Sequence, residues 1–253
     1  MRITLWLLAF VALVYGGACV ALYAFQRSFL YFPQPSALAG PDTTRKLVVP
    51  GAELAVSVRP HSGPKALIYF GGNAEDVSQQ LPWFARVFPD HAIYLLQYRG
   101  YGASTGAPTE ALLKSDAQAL FDSVHADHPD VAVVGRSLGS GVAVHLASQR
   151  PVSRLVLVTP YDSIVELAAR QFPAFPVRWL LTDKFESWRY APSIRVPTLL
   201  LAAEFDNVIP RWSTDRLRTR FASGVASFSV VPGTDHNTIS NSPQYLEALR
   251  AAL

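Results

Sequence analysis

A serine between two glycines, in the segment GRSLG at residues 135–139, is the first candidate for chemistry. The apolar run VAVV precedes this segment and SGVAVHLA follows it, which indicates a strand that enters a helix. The glycines leave room for a cramped turn, and the N-terminus of the helix favours an oxyanion. The pattern therefore predicts that Ser137 is a nucleophile, which also requires a base, an acid and oxyanion donors nearby.

The same Gly-x-Ser-x-Gly spelling occurs a second time, at GASTG, residues 102–106. Here the preceding strand ends several residues earlier, near Tyr98, and the next helix begins only after Pro108. Ser104 therefore lacks the strand-to-helix context of a nucleophile, and we expect it to be a loop residue.

The base of such a site is a histidine on a loop after the last strand. Of the six histidines, His236 in VVPGTDHN is the one in that position. Asp206, in TLLLAAEFD, ends the preceding strand and is the expected acid. The chain order Ser137, Asp206, His236 is that of α/β-hydrolases and differs from the order in chymotrypsin-like and subtilisin-like enzymes.

Other carboxylates lie close to the candidate positions. Asp162 ends an earlier strand at the same predicted sheet edge, so it stays open as an alternative acid. Asp235 adjoins His236, and we expect it to face solvent or brace the loop because neighbouring side chains rarely point at one another. Glu204 alternates away from Asp206 along the strand and suits the role less well.

Two backbone N–H groups must receive the developing oxyanion, one from the residue after the nucleophile and one from a loop after an early strand. The first is Leu138. The second comes from the loop in IYFGGNAED, where we assign it to Asn73, with Gly72 as the next choice.

Strand-like and helix-like segments alternate through the remainder of the chain, which predicts an α/β fold. Runs such as RLVLV and TLLLAA are continuously apolar, as expected for a mostly parallel sheet of the eight-stranded type with helices on both faces. The segment 161–197 is too long for an ordinary connection and is rich in aromatic residues and prolines, so we expect a small lid at about 162–196.

The run Ile3 to Phe25 contains no charged residue and is long enough to cross a bilayer as a helix. A cleaved signal peptide has a shorter apolar core, so we expect a retained anchor at 1–28 followed by a hydrolase domain at 29–253. Trp6, Tyr23, Tyr31 and Phe32 would suit interfacial positions. The few flanking basic residues leave the side of the membrane open.

Composition excludes few classes of partner. The formal net charge of +3 is too small to indicate nucleic-acid binding. Cys19 is the single cysteine, so no intramolecular disulfide can form, and no Cys/His cluster has zinc spacing. We therefore expect no metal, no cofactor and no obligatory protein partner.

Six segments together resemble the α/β-hydrolase superfamily, and more closely its membrane-anchored abhydrolase-domain proteins, a group that includes protein depalmitoylases and many bacterial hydrolases. In chain order they are QRSFLYFPQP, YFGGNAED, YRGYGASTGAPTE, GRSLGSG, EFDNVIP and GTDHN. The resemblance implies the same triad and makes YRGYG a loop that shapes the pocket. One departure is visible: the family usually has His-Gly-Asn where this chain has GGN at 71–73. That histidine is a structural brace, so its loss puts the rigidity of the loop in question.

These observations predict a serine hydrolase that cleaves carboxylic esters or thioesters through an acyl-enzyme. The aromatic lid and the anchor favour apolar or acylated substrates, including small molecules. A peptidase or amidase would use the same triad, and a catalytically silent membrane-bound binding module would have the same fold.

Overall fold

The computed structural model describes residues 2–38, 40 and 42–253 of the chain. In this part of the chain, eight strands form one sheet with the order β1-β2-β4-β3-β5-β6-β7-β8. The strands are β1 (Thr44–Val49), β2 (Ala52–Arg59), β3 (Lys65–Phe70), β4 (Ala92–Leu96), β5 (Asp130–Arg136), β6 (Arg154–Val158), β7 (Thr198–Ala203) and β8 (Ala226–Val231).

The sheet is mostly parallel, as predicted. β1 and β2 form an antiparallel hairpin through a turn at Gly51, whose φ of +76° suits glycine. β2 also pairs antiparallel with β4, whereas β3 to β8 are all parallel. The carboxyl ends of these six strands consequently share one edge of the sheet, where ligands bind in folds of this class.

The helices of the described residues are α1 (Arg2–Leu30), α2 (Leu81–Val87), α3 (Glu110–His125), α4 (Leu138–Gln149), α5 (Ile164–Gln171), α6 (Val177–Leu180), α7 (Ser187–Tyr190), α8 (Arg211–Arg218) and α9 (Pro243–Ala252). Most of them connect successive strands from β3 onward, whereas α1 precedes the sheet and α9 follows it. Short 3₁₀ turns occupy Val77–Gln80, Ala191–Ser193 and Ile239–Asn241.

Helices cover both faces of the sheet because alternate side chains of each central strand point to opposite sides. In β3, Ile68 and Phe70 pack in the core that includes residues of α3 and α4. Their neighbours Leu67 and Tyr69 pack in the other core, which includes residues of α2 and α9. Both faces of β3 are thus buried, which explains its continuous apolar sequence.

The N-terminal helix α1 is long and apolar enough to cross a membrane, and no residue of it is buried within the described structure. A signal sequence would pass the same test of length and composition. The last turns of α1 lie beside the segment that contains α5, α6 and α7, between β6 and β7. The division into an anchor at 1–28, a hydrolase domain at 29–253 and a lid at about 162–196 stays a prediction.

Tyr31 does not take the interfacial position expected for it. Its ring is buried in the core, and its hydroxyl donates a hydrogen bond to the Asp183 carboxylate at 3.1 Å. Phe32, the next residue, is about half exposed. The residue that leaves α1 is therefore part of the hydrolase fold rather than of a membrane interface.

Candidate active site

Ser137 lies in the turn between β5 and α4, with φ +48° and ψ −116°, which is a strained conformation for a residue with a side chain. The glycines around it explain how the turn fits. A Cβ on Gly139 would collide with the carbonyl oxygen of Phe70, and one on Gly135 would lie 2.6 Å from the Ala143 Cβ. Close approach between backbone segments, rather than chain flexibility, is what requires glycine on both sides of the serine.

Of the three residues predicted for a triad, His236 is within hydrogen-bond distance of both others. The His236 Nε2 atom lies 3.0 Å from the Ser137 Oγ, and its Nδ1 lies 2.9 and 3.1 Å from the two carboxylate oxygens of Asp206. Because an ionised carboxylate only accepts hydrogen bonds, this contact favours the tautomer with the proton on Nδ1 and a lone pair on Nε2. His236 and Asp206 are both largely buried.

Backbone groups hold the Asp206 carboxylate in place. Its Oδ1 accepts hydrogen bonds from the backbone N–H groups of Val208 and Ile209, at 2.9 and 2.7 Å. These bonds hold the carboxylate in the orientation in which it meets the imidazole.

The alternative acid Asp162 makes other contacts. It is fully buried, its Oδ1 accepts from the Ser213 hydroxyl at 2.7 Å, and its Oδ2 lies 3.2 Å from Arg216. Asp235 caps its own loop by accepting from the N–H groups of Asn237 and Thr238, as the bracing interpretation expected. Neither carboxylate hydrogen-bonds to the His236 side chain.

Ser104 is used structurally. Its hydroxyl donates to the Gln97 carbonyl oxygen at 2.7 Å and accepts from the Ala55 N–H at 2.8 Å, and the side chain is buried. Both hydrogen-bonding functions of this hydroxyl are therefore occupied, and it ties the loop after β4 to strand β2.

Two backbone N–H groups beside Ser137 are unpaired within the described residues, those of Leu138 and Asn73. Leu138 is the first residue of α4, so its N–H has no partner inside the helix. The Gly72 N–H, in contrast, donates to the Glu75 carboxylate at 2.6 Å. A Cβ on Gly72 would lie 3.6 Å from the Ser137 Cβ, so this loop passes directly beside the serine.

The loop at 71–73 is firmly braced although it lacks the usual histidine. The Tyr98 hydroxyl donates to the Gly71 carbonyl oxygen at 2.9 Å, and the Tyr101 hydroxyl donates to the Asn73 Oδ1 at 2.7 Å. Burial raises the pKa of Tyr101 to about 12, so its hydroxyl stays a neutral donor at physiological pH. The Asn73 Nδ2 donates to the Leu30 carbonyl oxygen at 2.7 Å, which ties the loop to the end of α1.

Two further residues link the parts of the site and were missed by sequence reasoning, Glu75 and Arg136. The Glu75 carboxylate accepts from Arg136 at 2.9 Å and from the Tyr69 hydroxyl at 2.8 Å, besides the Gly72 N–H. Arg136 also donates to the His236 carbonyl oxygen at 3.1 Å. Burial alone would lower the pKa of Arg136, but the adjacent Glu75 carboxylate raises it overall, so the guanidinium stays charged. The sequence signal for them was that each lies inside a candidate segment, Glu75 in IYFGGNAED and Arg136 in GRSLG.

No group of three or more His, Cys, Asp or Glu side chains that could hold a metal ion occurs among residues 2–38, 40 and 42–253. The arrangement around Ser137 is suited to nucleophilic attack by a hydroxyl, with a base at one side and two N–H donors at the other.

Comparison with known proteins identifies similar chains. A model of the alpha/beta hydrolase family matches residues 49–193. An uncharacterised protein of Mycobacterium tuberculosis is 34% identical over 249 residues, which cover 90% of this chain and 86% of that protein. The lysophosphatidylserine lipase ABHD12 of Macaca fascicularis is 32% identical over 194 residues, covering 64% of this chain and 48% of that protein.

Among solved structures, the esterase Pf2001 of Pyrococcus furiosus superposes with a TM-score of 0.67 at 17% identity. The match covers 88% of this chain and 98% of the esterase. At this identity the similarity shows the fold, which is the α/β-hydrolase fold expected from the sequence.

Proposed function

The chain belongs to the alpha/beta hydrolase family, and on that premise we propose that it is a serine hydrolase of carboxylic esters or thioesters. In this proposal Ser137 is the nucleophile, His236 the base and Asp206 the acid. The observation that carries it is the continuous series of hydrogen bonds from the Ser137 hydroxyl through the His236 ring to the Asp206 carboxylate.

Acylation begins when the His236 Nε2 accepts the Ser137 hydroxyl proton while the Oγ attacks the substrate carbonyl carbon. Asp206 keeps the proton on Nδ1 and stabilises the imidazolium that forms. The negative charge on the substrate oxygen is received by the N–H groups of Leu138 and Asn73. The imidazolium then donates its Nε2 proton to the departing alkoxide or thiolate, which leaves an acyl group on Ser137.

Deacylation repeats these steps with water. His236 accepts a proton from water, the hydroxide attacks the acyl carbon, and the returning proton restores the Ser137 hydroxyl as the acid product leaves. Pairing of all three triad side chains favours this catalytic interpretation over a silent binding module.

Two observations favour ester or thioester substrates with apolar acyl groups. The segment between β6 and β7 exposes Phe172 and Trp179. One relative is named a lysophosphatidylserine lipase, which agrees with an apolar substrate. An amidase would need the same triad, so the leaving group is a question for assay.

We also propose that α1 is a retained membrane anchor rather than a cleaved signal. Its last turns are bonded to the hydrolase fold: the Gln26 Oε1 accepts from the Thr182 N–H at 2.7 Å, and Arg27 pairs with Asp183 at 3.1 Å. Cleavage after α1 would remove these partners and leave the Asp183 carboxylate with one donor fewer, so the contacts support retention.

Labelling with a fluorophosphonate probe tests the proposal. Wild-type protein and the Ser104→Ala variant should be labelled, whereas Ser137→Ala should not be. Labelling that persists in Ser137→Ala, or is lost in Ser104→Ala while circular dichroism shows an intact fold, would overturn the assignment. A wild-type protein that is folded but neither labelled nor able to cleave 4-nitrophenyl acetate would shift the proposal to the binding module.

A further inference from the structure

A cavity of about 370 Å³ separates the end of α1 from the segment that contains α5 and α6. Its walls include Phe29 and Leu30 of α1, and Ile164, Ala168 and Phe172 from α5 and the residue that follows it. The three positions on the α5 side recur every four residues and so form one stripe along the helix. The volume lies within the range of about 300–1,000 Å³ typical of pockets for small ligands.

The lining of this cavity is apolar apart from Gln26. That side chain is not a free polar group, because its Oε1 accepts from the N–H and hydroxyl of Thr182 and its Nε2 donates to the Leu180 carbonyl oxygen. Because no unpaired polar group in the described lining would hold water or orient a polar ligand, the cavity suits a hydrocarbon chain.

One wall of the cavity belongs to α1, the helix that could cross a membrane. The opposite wall includes Phe175, which contacts the uncharged part of α1. Tyr15, in the middle of the uncharged run Ile3 to Phe25, stacks on Phe175 with ring centroids 5.7 Å apart and donates to the Ala174 carbonyl oxygen at 2.7 Å. Nearby, Trp179 is 89% exposed. A bilayer around α1 would therefore also surround Phe175 and Trp179.

Leu30 connects one end of the cavity to the loop at 71–73. Leu30 lines the cavity, and its carbonyl oxygen accepts the hydrogen bond from the Asn73 side chain. Ile164 lies two residues beyond Asp162, at the same sheet edge that presents Ser137. An acyl chain in the cavity would thus have one end near Asn73, one of the two proposed oxyanion donors.

We infer that this cavity binds the acyl chain of a lipid ester that comes from the bilayer around α1, so that the anchor helix is itself one wall of the substrate site. The inference rests on the proposed function, since it names the substrate class of the same serine. In this inference the acyl chain enters between α1 and the segment with Phe175 and Trp179, and the ester group lies at the Leu30 end of the cavity, on the side of Asn73.

Filling the cavity tests the inference. Ala168→Phe places a ring in the lumen, whereas Ala169→Phe adds the same ring at the next position of α5, which does not line the cavity. The measured quantity is the ratio of kcat/KM for 4-nitrophenyl palmitate to that for 4-nitrophenyl acetate, with full-length protein in mixed micelles. Ala168→Phe should lower this ratio at least about tenfold, and Ala169→Phe should leave it within about twofold, because methylene-scale misfit alone changes specificity by about 10–200-fold.

The outcomes separate the inference from the proposed function. An unchanged ratio in Ala168→Phe, or an equal fall of the ratio in Ala169→Phe, overturns the assignment of the cavity. If wild-type protein still cleaves the acetate ester, the proposal of a serine hydrolase stands in that case. Wild-type protein that cleaves neither ester overturns the proposed function and the acyl site with it.

A second measurement applies if Ala168→Phe does not fold. Wild-type protein in phosphatidylcholine vesicles is irradiated with a phospholipid that carries a diazirine on its acyl chain. Adducts on the α5 side of the cavity, at Ile164 or Ala168, support the inference. Adducts confined to the outer surface of α1 contradict it.

Discussion

Replacing Glu75 by glutamine should lower both the stability of the folded protein and kcat. The carboxylate lies 2.9 Å from Arg136, and the two side chains are only 8% and 14% exposed. At an effective dielectric constant of about 20, this separation corresponds to roughly 6 kcal/mol of attraction. The glutamine amide recovers part of it as a neutral hydrogen bond, so we expect a net loss of about 3 kcal/mol, at the lower end of the cost of breaking a buried pair.

This loss is large enough to measure by thermal unfolding. A loss of 1 kcal/mol in the free energy of unfolding lowers Tm by about 2–4 °C in a domain of this size, so Glu75→Gln should lower Tm by about 6–12 °C. Glu53→Gln is the matched control, because Glu53 pairs with Lys46 at the surface, where both side chains are well exposed. Its effect should stay within about 0.5 kcal/mol.

Catalysis should fall because Glu75 also holds the Gly72 N–H, and Asn73 follows directly. We expect kcat to drop by about tenfold or more, bounded by the roughly hundred- to thousandfold cost of losing one oxyanion donor. The double variant Glu75→Gln/Arg136→Met leaves no unpaired charge at these two positions. Compared with Glu75→Gln, it should therefore recover part of the lost Tm without recovering kcat. Wild-type Tm and kcat in Glu75→Gln would refute the reasoning.

Two further predictions concern single side chains. Asp206→Asn should lower kcat for 4-nitrophenyl acetate by about 10⁴-fold, because the amide no longer favours the proton on the Nδ1 of His236. Asp162→Asn should mainly lower Tm, and a fall of kcat in Asp162→Asn alone would reverse the assignment of the acid. Burial, and then the charge of Lys114, lowers the pKa of His145 to about 4 from 6.5. The unfolded chain therefore binds more protons between about pH 6.5 and 4, so stability is full above that window and falls as pH falls through it. In His145→Phe the fall of Tm between pH 7 and pH 5 should be smaller than in wild type, and an equal fall would contradict this account.

Local sequence patterns predicted the elements that carry the nucleophile with good precision. Helix α4 follows strand β5 directly, as the sequence predicted, and spans Leu138–Gln149, with a glycine-rich turn before it and Pro151 shortly after it. The strands around it were recognisable from continuous apolar runs. The second serine, Ser104, was recognised as structural from the missing strand and helix alone, although its two hydrogen bonds were not foreseen.

Those local patterns did not predict contacts between residues that are distant in the sequence. Arg136 and Glu75 are 61 positions apart, and nothing in either segment indicates that the other is its partner. The brace of Asn73 depends in the same way on Leu30 and Tyr101, which approach it from other parts of the chain. The resemblance to a family indicated a weakened loop where a histidine is missing, yet tyrosine hydroxyls and a carboxylate occupy that role.

The sequence by itself determined the fold class, the order of serine, aspartate and histidine, and the apolar helix at the N-terminus, because each is encoded in residues that are near one another or in their order along the chain. Only the tertiary structure decided which carboxylate meets His236, which N–H groups beside Ser137 are free, and that α1 shares a cavity with the segment after β6. Asp162 and Asp206 follow strands at the same edge and look alike in sequence. The direction of their side chains, set by partners far along the chain, distinguishes them.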